Sequence, residues 1–188
     1  MLHLEGGFQG LDRINRFSAR VTTADKAILQ KGGFVYVTYP ASSTLESSNV
    51  LANAALATGT ITSHNVLAAK LVYPIFISRP APGDPRTDFL PLDESNLVTC
   101  LEGDFKAMAT RYSYFQDGGT THADIAAGDP LKIATVTATV MNNASWTGTT
   151  ETDDRPMLVK ATNGTYEEVV AYALSPEDGK RLRIRWCA

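Results

Sequence analysis

Hydrophobic and polar residues alternate most regularly near the C-terminal end of the chain. In residues 181–186, three arginines alternate with Leu182, Ile184 and Trp186, which predicts a strand with one buried and one exposed face. Other short apolar segments also predict strands, at residues 17–22, 34–39, 66–77, 97–101, 105–112, 131–140, 157–161 and 168–174. The pattern therefore indicates a mainly β chain, a small antiparallel barrel or sandwich with long loops.

Turn-forming residues separate the predicted strands. Gly128-Asp129-Pro130 predicts a tight turn before the strand at 131–140, and Asn163-Gly164 predicts a hairpin between the two strands that flank it. Residues 40–65 are less regular. A capping-box pattern at residues 43–46 and helix-forming residues at 51–57 favour a loop with a short helix there.

Composition changes divide the chain into three parts. Four prolines within residues 79–93 mark a loop between an N-terminal β-rich part, 17–93, and a C-terminal barrel part, 94–188. Both parts fit one compact domain of ordinary size. Residues 1–16 are rich in glycine and show little strand alternation, so we expect an N-terminal arm that serves assembly.

Several apolar side chains are candidates for contact with a partner. A strand that is apolar on both faces, such as residues 66–77, must be covered on both. Apolar side chains in a glycine-rich terminus also await a partner. The candidate residues for contact with a partner or with another subunit are Phe8, Leu11, Ile14, Phe17, Tyr73 and Phe76.

Charge and hydropathy exclude some classes of partner. The 188 residues carry a net charge of −3, whereas a nucleic-acid-binding protein needs a basic stripe that neutralises phosphates. The longest apolar segment, residues 71–77, is shorter than the roughly 18 residues that span a membrane. The first residues lack the regions of a secretory signal. We therefore expect that the protein binds neither nucleic acid nor a membrane and that it is made in a cytoplasm.

The sequence contains few residues arranged for chemistry. Walker A, Gly-x-Gly-x-x-Gly, His-Glu-x-x-His and Gly-x-Ser-x-Gly motifs are all missing, so we expect no cofactor and no catalytic activity. His122 beside Asp124 fits a general base less well than a solvated loop histidine. Glu151 with Asp153-Asp154 fits a hard-cation site less well than a solvated acidic loop.

The two cysteines and the arginine row each leave two interpretations open. Cys100 and Cys187 fit two buried thiols, or a disulfide formed in an oxidising medium. The arginines of residues 181–186 fit the exposed face of an edge strand, where charge prevents aggregation. They also suit contact with phosphate.

Five short motifs follow one another in a characteristic order. They are Val-Tyr-Pro-Ile-Phe at 72–76, Gly-Asp-Phe-Lys-Ala at 103–107, Ala-Gly-Asp-Pro-Leu at 127–131, Val-Val-Ala at 169–171 and Leu-Arg-Ile at 182–184. The order resembles that of the decoration (cement) proteins of tailed-bacteriophage capsids. No single motif is specific, and the resemblance depends on their sequence along the chain. Residues 1–65 match this family only loosely.

The resemblance implies a β-barrel or β-tulip fold and a structural role. Such a protein binds the outside of a capsid, stabilises contacts between major capsid protein subunits and self-associates there as a trimer or dimer. It would be made in the bacterial host cytoplasm and located on the virion. Two alternatives remain: another virion component, such as a tail-tube, baseplate or head-fibre protein, and a small-ligand-binding barrel or enzyme.

Overall fold

The computed structural model describes residues 3–4, 15–29, 33–38, 52–58, 69–73, 97–110, 113–120, 122–144, 150–162, 168–176 and 181–188. These residues are mainly β, as the sequence predicts, and form eleven strands and two helices. The elements are β1 (His3–Leu4), β2 (Asn15–Arg20), α1 (Thr23–Leu29), β3 (Phe34–Thr38), β4 (Ala52–Leu56), β5 (Ala69–Tyr73), β6 (Leu97–Glu102), β7 (Phe105–Thr110), β8 (Pro130–Val136), α2 (Ala138–Asn143), β9 (Arg155–Lys160), β10 (Ala171–Ala173) and β11 (Arg181–Trp186).

Strands β2 to β6 form one group, which we call the ring. The pairings run in the order β2-β4-β3-β5-β6, and β6 pairs back with β2. All of these pairs are antiparallel except β2 and β4, which are parallel. The sequence predicts a fold dominated by antiparallel strands, and this parallel pair is the exception. The exception arises because α1 and β3 lie between β2 and β4, and such a connection lets the chain cross over and re-enter in the same direction.

The remaining strands form a six-stranded antiparallel sheet in the order β1-β7-β11-β10-β8-β9. Its two longest ladders have six residue pairs each: one joins β8 to β9, and the other joins β7 to β11, from Arg181 opposite Thr110 to Trp186 opposite Phe105. The chain passes from the ring to this sheet at Gly103, whose φ of 108° lies in the left-handed region that favours glycine. The strands thus change sheets downstream of the boundary predicted at residue 93.

The prediction of a short helix at residues 51–57 is wrong for the residues that form strand β4. Alanine favours helices, but the preference per residue is small and tertiary contacts override it. Here β4 pairs with both β2 and β3, and the backbone hydrogen bonds of the ring replace those of a helix. Ala54 is buried among the apolar residues of the ring.

The strand predicted at residues 131–140 ends earlier, at Val136. Thr137 then caps helix α2, with its Oγ1 accepting a hydrogen bond from the backbone N–H of Val140 at 3.3 Å. A threonine in extended conformation at this position satisfies a backbone donor that the first helical turn leaves open. The predicted turn before this strand is present: Gly128 has a φ of 88°, and Asp129 accepts a hydrogen bond from Ala126.

The predicted hairpin between the strands at 157–161 and 168–174 is also wrong. Asn163-Gly164 lies outside the described residues, but the two strands that flank it, β9 and β10, do not pair with each other. Strand β8 lies between them and pairs with both. An Asn-Gly pair favours a local turn, whereas the order of strands in a sheet is decided by long-range packing.

A single apolar core joins the ring to the six-stranded sheet. At its centre Trp186 of β11 stacks on Phe34 of β3, with ring centroids 5.6 Å apart, and on Phe105 of β7 at 6.4 Å. The indole N–H of Trp186 donates to the carbonyl of Ala188 at 2.7 Å, so the buried ring leaves no polar atom unpaired. This cluster includes residues from both groups of strands, so the ring and the six-stranded sheet share it.

Helix α1, which was not predicted from the sequence, covers part of the ring. Thr22 accepts a hydrogen bond from the backbone N–H of Asp25 at 3.1 Å, and Leu29 is buried with Val35 of β3. A side chain at Gly33 would approach Leu29 to 3.0 Å, so glycine allows the helix to end close to the strand. Neither helix of the described chain has the length and hydropathy needed to cross a membrane.

Candidate functional site

Two of the six predicted contact residues lie in described strands. Phe17 of β2 is opposite Cys100 of β6, and Tyr73 of β5 is opposite Thr99 of the same strand. They therefore lie on the two strands that flank β6, β2 on one side and β5 on the other. The other four, Phe8, Leu11, Ile14 and Phe76, lie outside the described residues.

The predicted N-terminal arm contributes two described segments to the sheets. His3–Leu4 forms β1 at the edge of the six-stranded sheet, opposite Met108 and Ala107 of β7. Asn15 and Arg16 begin β2, so the predicted boundary at residue 16 falls within a strand of the ring. Residues 5–14 lie outside the described part of the chain.

His122 packs against an aromatic ring and is not the solvated loop histidine that the sequence favoured. Its imidazole meets the ring of Phe115 edge-on, with centroids 5.7 Å apart. The backbone N–H of His122 donates to Oδ1 of Asp117 at 3.1 Å. Burial lowers the pKa of His122, against the opposite effect of the Asp117 charge. Asp124, its proposed partner in a base, is exposed.

Glu151 forms a buried ion pair instead of joining a solvated acidic loop. Its Oε2 accepts a hydrogen bond from Nη2 of Arg155 at 2.6 Å, and the two side chains are 5% and 3% exposed. The Nε and Nη1 donors of Arg155 are buried with no hydrogen-bond partner in the structure. Burial of these charged groups therefore carries a desolvation cost that the hydrogen bonds do not fully offset. The ion pair also holds Glu151 against Arg155, the first residue of β9.

The neighbouring polar residues tie this segment to helix α2. The side-chain amide of Asn142 donates to the carbonyl of Glu151 at 2.9 Å and accepts from its N–H at 2.6 Å. Asp154 accepts a hydrogen bond from the N–H of Ala138 at 2.9 Å, at the start of α2. Among the residues that the structure describes, no group of three or more potential metal ligands is found.

The two cysteines differ in environment. Cys100 is buried in the ring and Cys187 is exposed beside the last strand, so the prediction of two buried thiols is correct for Cys100 alone. Neither cysteine forms a disulfide in this structure. Although Cys187 is exposed as a residue, its sulfur is partly shielded from water, and this partial burial, together with the nearby charge of Asp104, raises the pKa of the thiol.

The outer face of the six-stranded sheet, opposite the main core, is divided into two halves. Over β8 and β9 it is covered, because helix α2 and the segment at Phe115 pack against it. We call this the covered half. The buried side chains of its apolar cluster are Phe115, Val136, Met141, Met157 and Val159.

Over β7, β11 and β10 the same outer face carries exposed cations. Lys106 of β7 lies opposite Arg185 of β11, and Arg181 and Arg183 follow on the same side of β11. We call these four residues the arginine face. Tyr172 of β10 lies opposite Arg185, and Leu174 donates its N–H to the carbonyl of Arg183.

One carboxylate orients part of the arginine face. Asp104 accepts two hydrogen bonds from Arg185, 2.8 Å from Nε to Oδ1 and 2.5 Å from Nη2 to Oδ2. These bonds raise the pKa of Arg185 further above its ordinary value, so the guanidinium is charged at every pH of interest. The planar fork of an arginine matches a carboxylate in this two-point geometry.

The interpretation of the arginine row as the guard of an edge strand is wrong. Strand β11 lies between β7 and β10: it pairs with β7 along its whole length and with β10 over residues 184–186. An edge strand needs charge to prevent further pairing, whereas an interior strand does not. The row therefore has to be explained by what its side chains can contact.

Two residues of this surface were not identified from the sequence. Tyr172 and Leu174 are the large apolar side chains that the described residues leave most open, at 38% and 41% exposure. The alternation of residues 171–174, with small buried alanines between them, is the sequence signal that places both on one face. Comparison of the chain with protein-family models, with curated proteins and with solved structures finds no match.

Proposed function

We propose that this chain is a structural virion protein that binds the outer surface of a tailed-phage capsid and stabilises contacts between major capsid protein subunits. The observation that carries the proposal is the order of motifs from residue 72 to the end of the chain. Four of these five motifs contribute to one sheet, and the outer side chains of β11 in that sheet are exposed. A protein with this role needs a stable β scaffold and an accessible surface.

The described positions of the motifs agree with this role. Gly103-Asp104 makes the passage into β7, and the turn at residues 127–129 delivers β8. The motif at 169–171 leads into β10, and the one at 182–184 lies inside β11. Sequence features that belong together in decoration proteins are thus adjacent here through the pairings of β7, β11, β10 and β8.

The finer features of the fold belong to the same proposal. The ring of β2 to β6, in which each strand pairs with two others, corresponds to a small barrel. The predicted arm, residues 1–16, contacts the capsid lattice under this proposal and gives avidity when many copies bind. Self-association of the subunit, as a trimer or dimer on the capsid, completes this arrangement.

Binding to isolated heads tests the proposed function. Heads stripped of the protein are mixed with the purified chain, and bound protein is measured by sedimentation and by negative-stain imaging. The chain should rebind to intact heads and raise their resistance to heat. Binding to tails or baseplates would instead support another virion component, and turnover that depends on His122 or Asp124 in an activity screen would support an enzyme.

A deletion tests the arm within the same assay. Residues 2–14 are removed, which spares the paired residues Asn15 and Arg16 of β2. The shortened chain should fold, because β7 keeps β11 as its partner, but should bind heads more weakly. Undiminished affinity for heads would contradict the arm, and loss of folding would assign these residues to the core.

A further inference from the structure

The arginine face gathers positive charge on a chain that is acidic as a whole. The chain has 17 basic and 20 acidic residues, yet four cations lie together on the outer face of β7 and β11, beside the carboxylate of Asp104. Arg181, Arg183 and Arg185 lie at alternate positions of one strand, so their side chains leave the sheet on the same side.

Folding alone gives no reason for this arrangement. Strand β11 is held by its inner face, where Leu182, Ile184 and Trp186 are fully buried. On the outer face Lys106 and Arg185 lie directly opposite each other, and like charges in that position destabilise a sheet. The carboxylate of Asp104 offsets part of this repulsion through its contact with Arg185, and an anionic surface that approaches the face would offset more of it.

We infer that the arginine face, with Tyr172 and Leu174 beside it, is the docking site for an acidic protein surface. The inference rests on the proposed function, under which the acidic surface belongs to the capsid shell. The contact between Arg185 and Asp104 shows, within the chain, the two-point bonding by which an arginine holds a carboxylate. Arginine and tyrosine are also the residue types that contribute most to protein–protein interfaces.

Other occupants fit the surface less well. A nucleic acid is a polyanion, and the net charge of −3 opposes its approach to the molecule as a whole. Two copies of the face fit each other poorly, because their interface would bring together the four cations of each copy with only the Asp104 carboxylate of each beside them. Tyr172 and Leu174 provide exposed apolar area that suits a protein partner better than a phosphate backbone.

Charge reversal at one residue provides the test. Arg183→Glu changes the centre of the arginine face, and Arg20→Glu makes the same change of charge at an exposed position of β2 in the ring. Binding of each full-length variant is measured to poly-L-glutamate, to duplex DNA and to stripped heads, at low salt and at about 0.15 M salt. Circular dichroism confirms the fold, and Arg183→Gln replaces any Arg183→Glu protein that fails to fold.

The expected result is a loss of binding that is confined to the face. Arg183→Glu should weaken binding to poly-L-glutamate and to heads by at least about tenfold, and Arg20→Glu by less than about twofold. Equal binding by Arg183→Glu and the original chain would overturn the inference, as would tighter, Arg183-dependent binding to DNA. If poly-L-glutamate binds through Arg183 but heads do not bind, the docking site is retained and the proposed function is wrong.

Discussion

The two halves of the outer face of the six-stranded sheet have the same strand pairing but different surroundings. One half is covered by other parts of the chain, and the other carries exposed side chains. Strand β9, in the covered half, is buried at each of its first five residues, because the core lies on one side and α2 on the other. Strand β11, under the arginine face, alternates regularly between exposed and buried residues. The two strands have the same length of six residues and lie in the same sheet.

The difference in burial between these two strands reflects the number of faces that the fold covers, two for β9 and one for β11. Strand β9 places Leu158 in the main core and Met157 and Val159 in the smaller cluster beneath α2. A continuous apolar run is expected where both faces are covered, and alternation where one face meets water. The stability of the covered half should therefore depend on both faces, and that of the arginine face on the inner side alone.

The largest effect is expected from Trp186→Ala. Trp186 is fully buried, stacks on Phe34 and Phe105, and joins the ring to the six-stranded sheet. Its removal should lower the free energy of unfolding by about 3–5 kcal/mol, since the cavity cannot close completely. Urea-induced unfolding followed by circular dichroism measures this change.

A substitution on the other face of the same strand supplies the control. Arg183→Thr retains the strand preference of this position and changes an exposed side chain, so its effect should be within about 0.5 kcal/mol. A cost of Arg183→Thr comparable with that of Trp186→Ala would show that the outer face also stabilises β11, and the comparison of the two halves would then be wrong.

The buried ion pair of the covered half should produce the next largest effect. Glu151→Ala leaves the guanidinium of Arg155 buried without its carboxylate, which costs about 3 kcal/mol in comparable sites. The measurement is again the free energy of unfolding. The double variant Glu151→Leu with Arg155→Met should recover most of the loss, because it removes both charges together.

The double variant also separates two roles of the pair. Full recovery would mean that the ion pair adds no stability beyond that of an apolar contact, as the two buried, unpaired nitrogen atoms of Arg155 suggest. A double variant as unstable as Glu151→Ala would instead show that the charges are required for the packing of the segment on β9.

The sequence predicted the features that depend on neighbouring residues. Strand β11 has the predicted boundaries and the predicted alternation of burial, and the turn at Gly128 lies where its residues indicate. The sequence also predicted that the three arginines lie in a row on one face of the strand. It did not predict the role of the row, because that role depends on whether β11 is an edge or an interior strand, which is decided by the strands that pair with it.

The features that the sequence did not predict all depend on distant contacts. Strand β4 is rich in alanine and acquires its conformation from β2 and β3. The insertion of β8 between β9 and β10 overrides a local hairpin signal. The burial of Glu151 requires Arg155 and Asn142 from two different elements. In each case local preference is worth less than the pairing or packing that opposes it.

The N-cap of α2 should have a moderate effect that is confined to the covered half. Thr137→Ala removes the hydroxyl that accepts the N–H of Val140, which costs about 1 kcal/mol. Hydrogen exchange should show faster opening of α2 and unchanged protection of β11. Faster exchange in β11 as well would show that the two halves unfold together. Thr137→Ser, which keeps the hydroxyl, serves as the control.

The smallest effect is expected from the protonation of His122, which packs on Phe115 of the covered half. Burial lowers the pKa of His122 in the folded chain, so the unfolded chain, with a histidine pKa of about 6.5, binds a proton first as the pH falls. The contribution of His122 to stability is therefore complete above about pH 6.5. It decreases as the pH falls through that value towards the folded pKa. Below the folded pKa this group causes no further loss of stability.

His122→Phe keeps an aromatic ring at this position but cannot bind a proton. The free energies of unfolding of the two proteins, measured from about pH 7 to about pH 5, should diverge in favour of His122→Phe. A difference that does not change with pH would mean that the imidazole is as accessible to protons in the folded chain as in the unfolded one. The packing of His122 on Phe115 would then not disfavour the charged form of the imidazole.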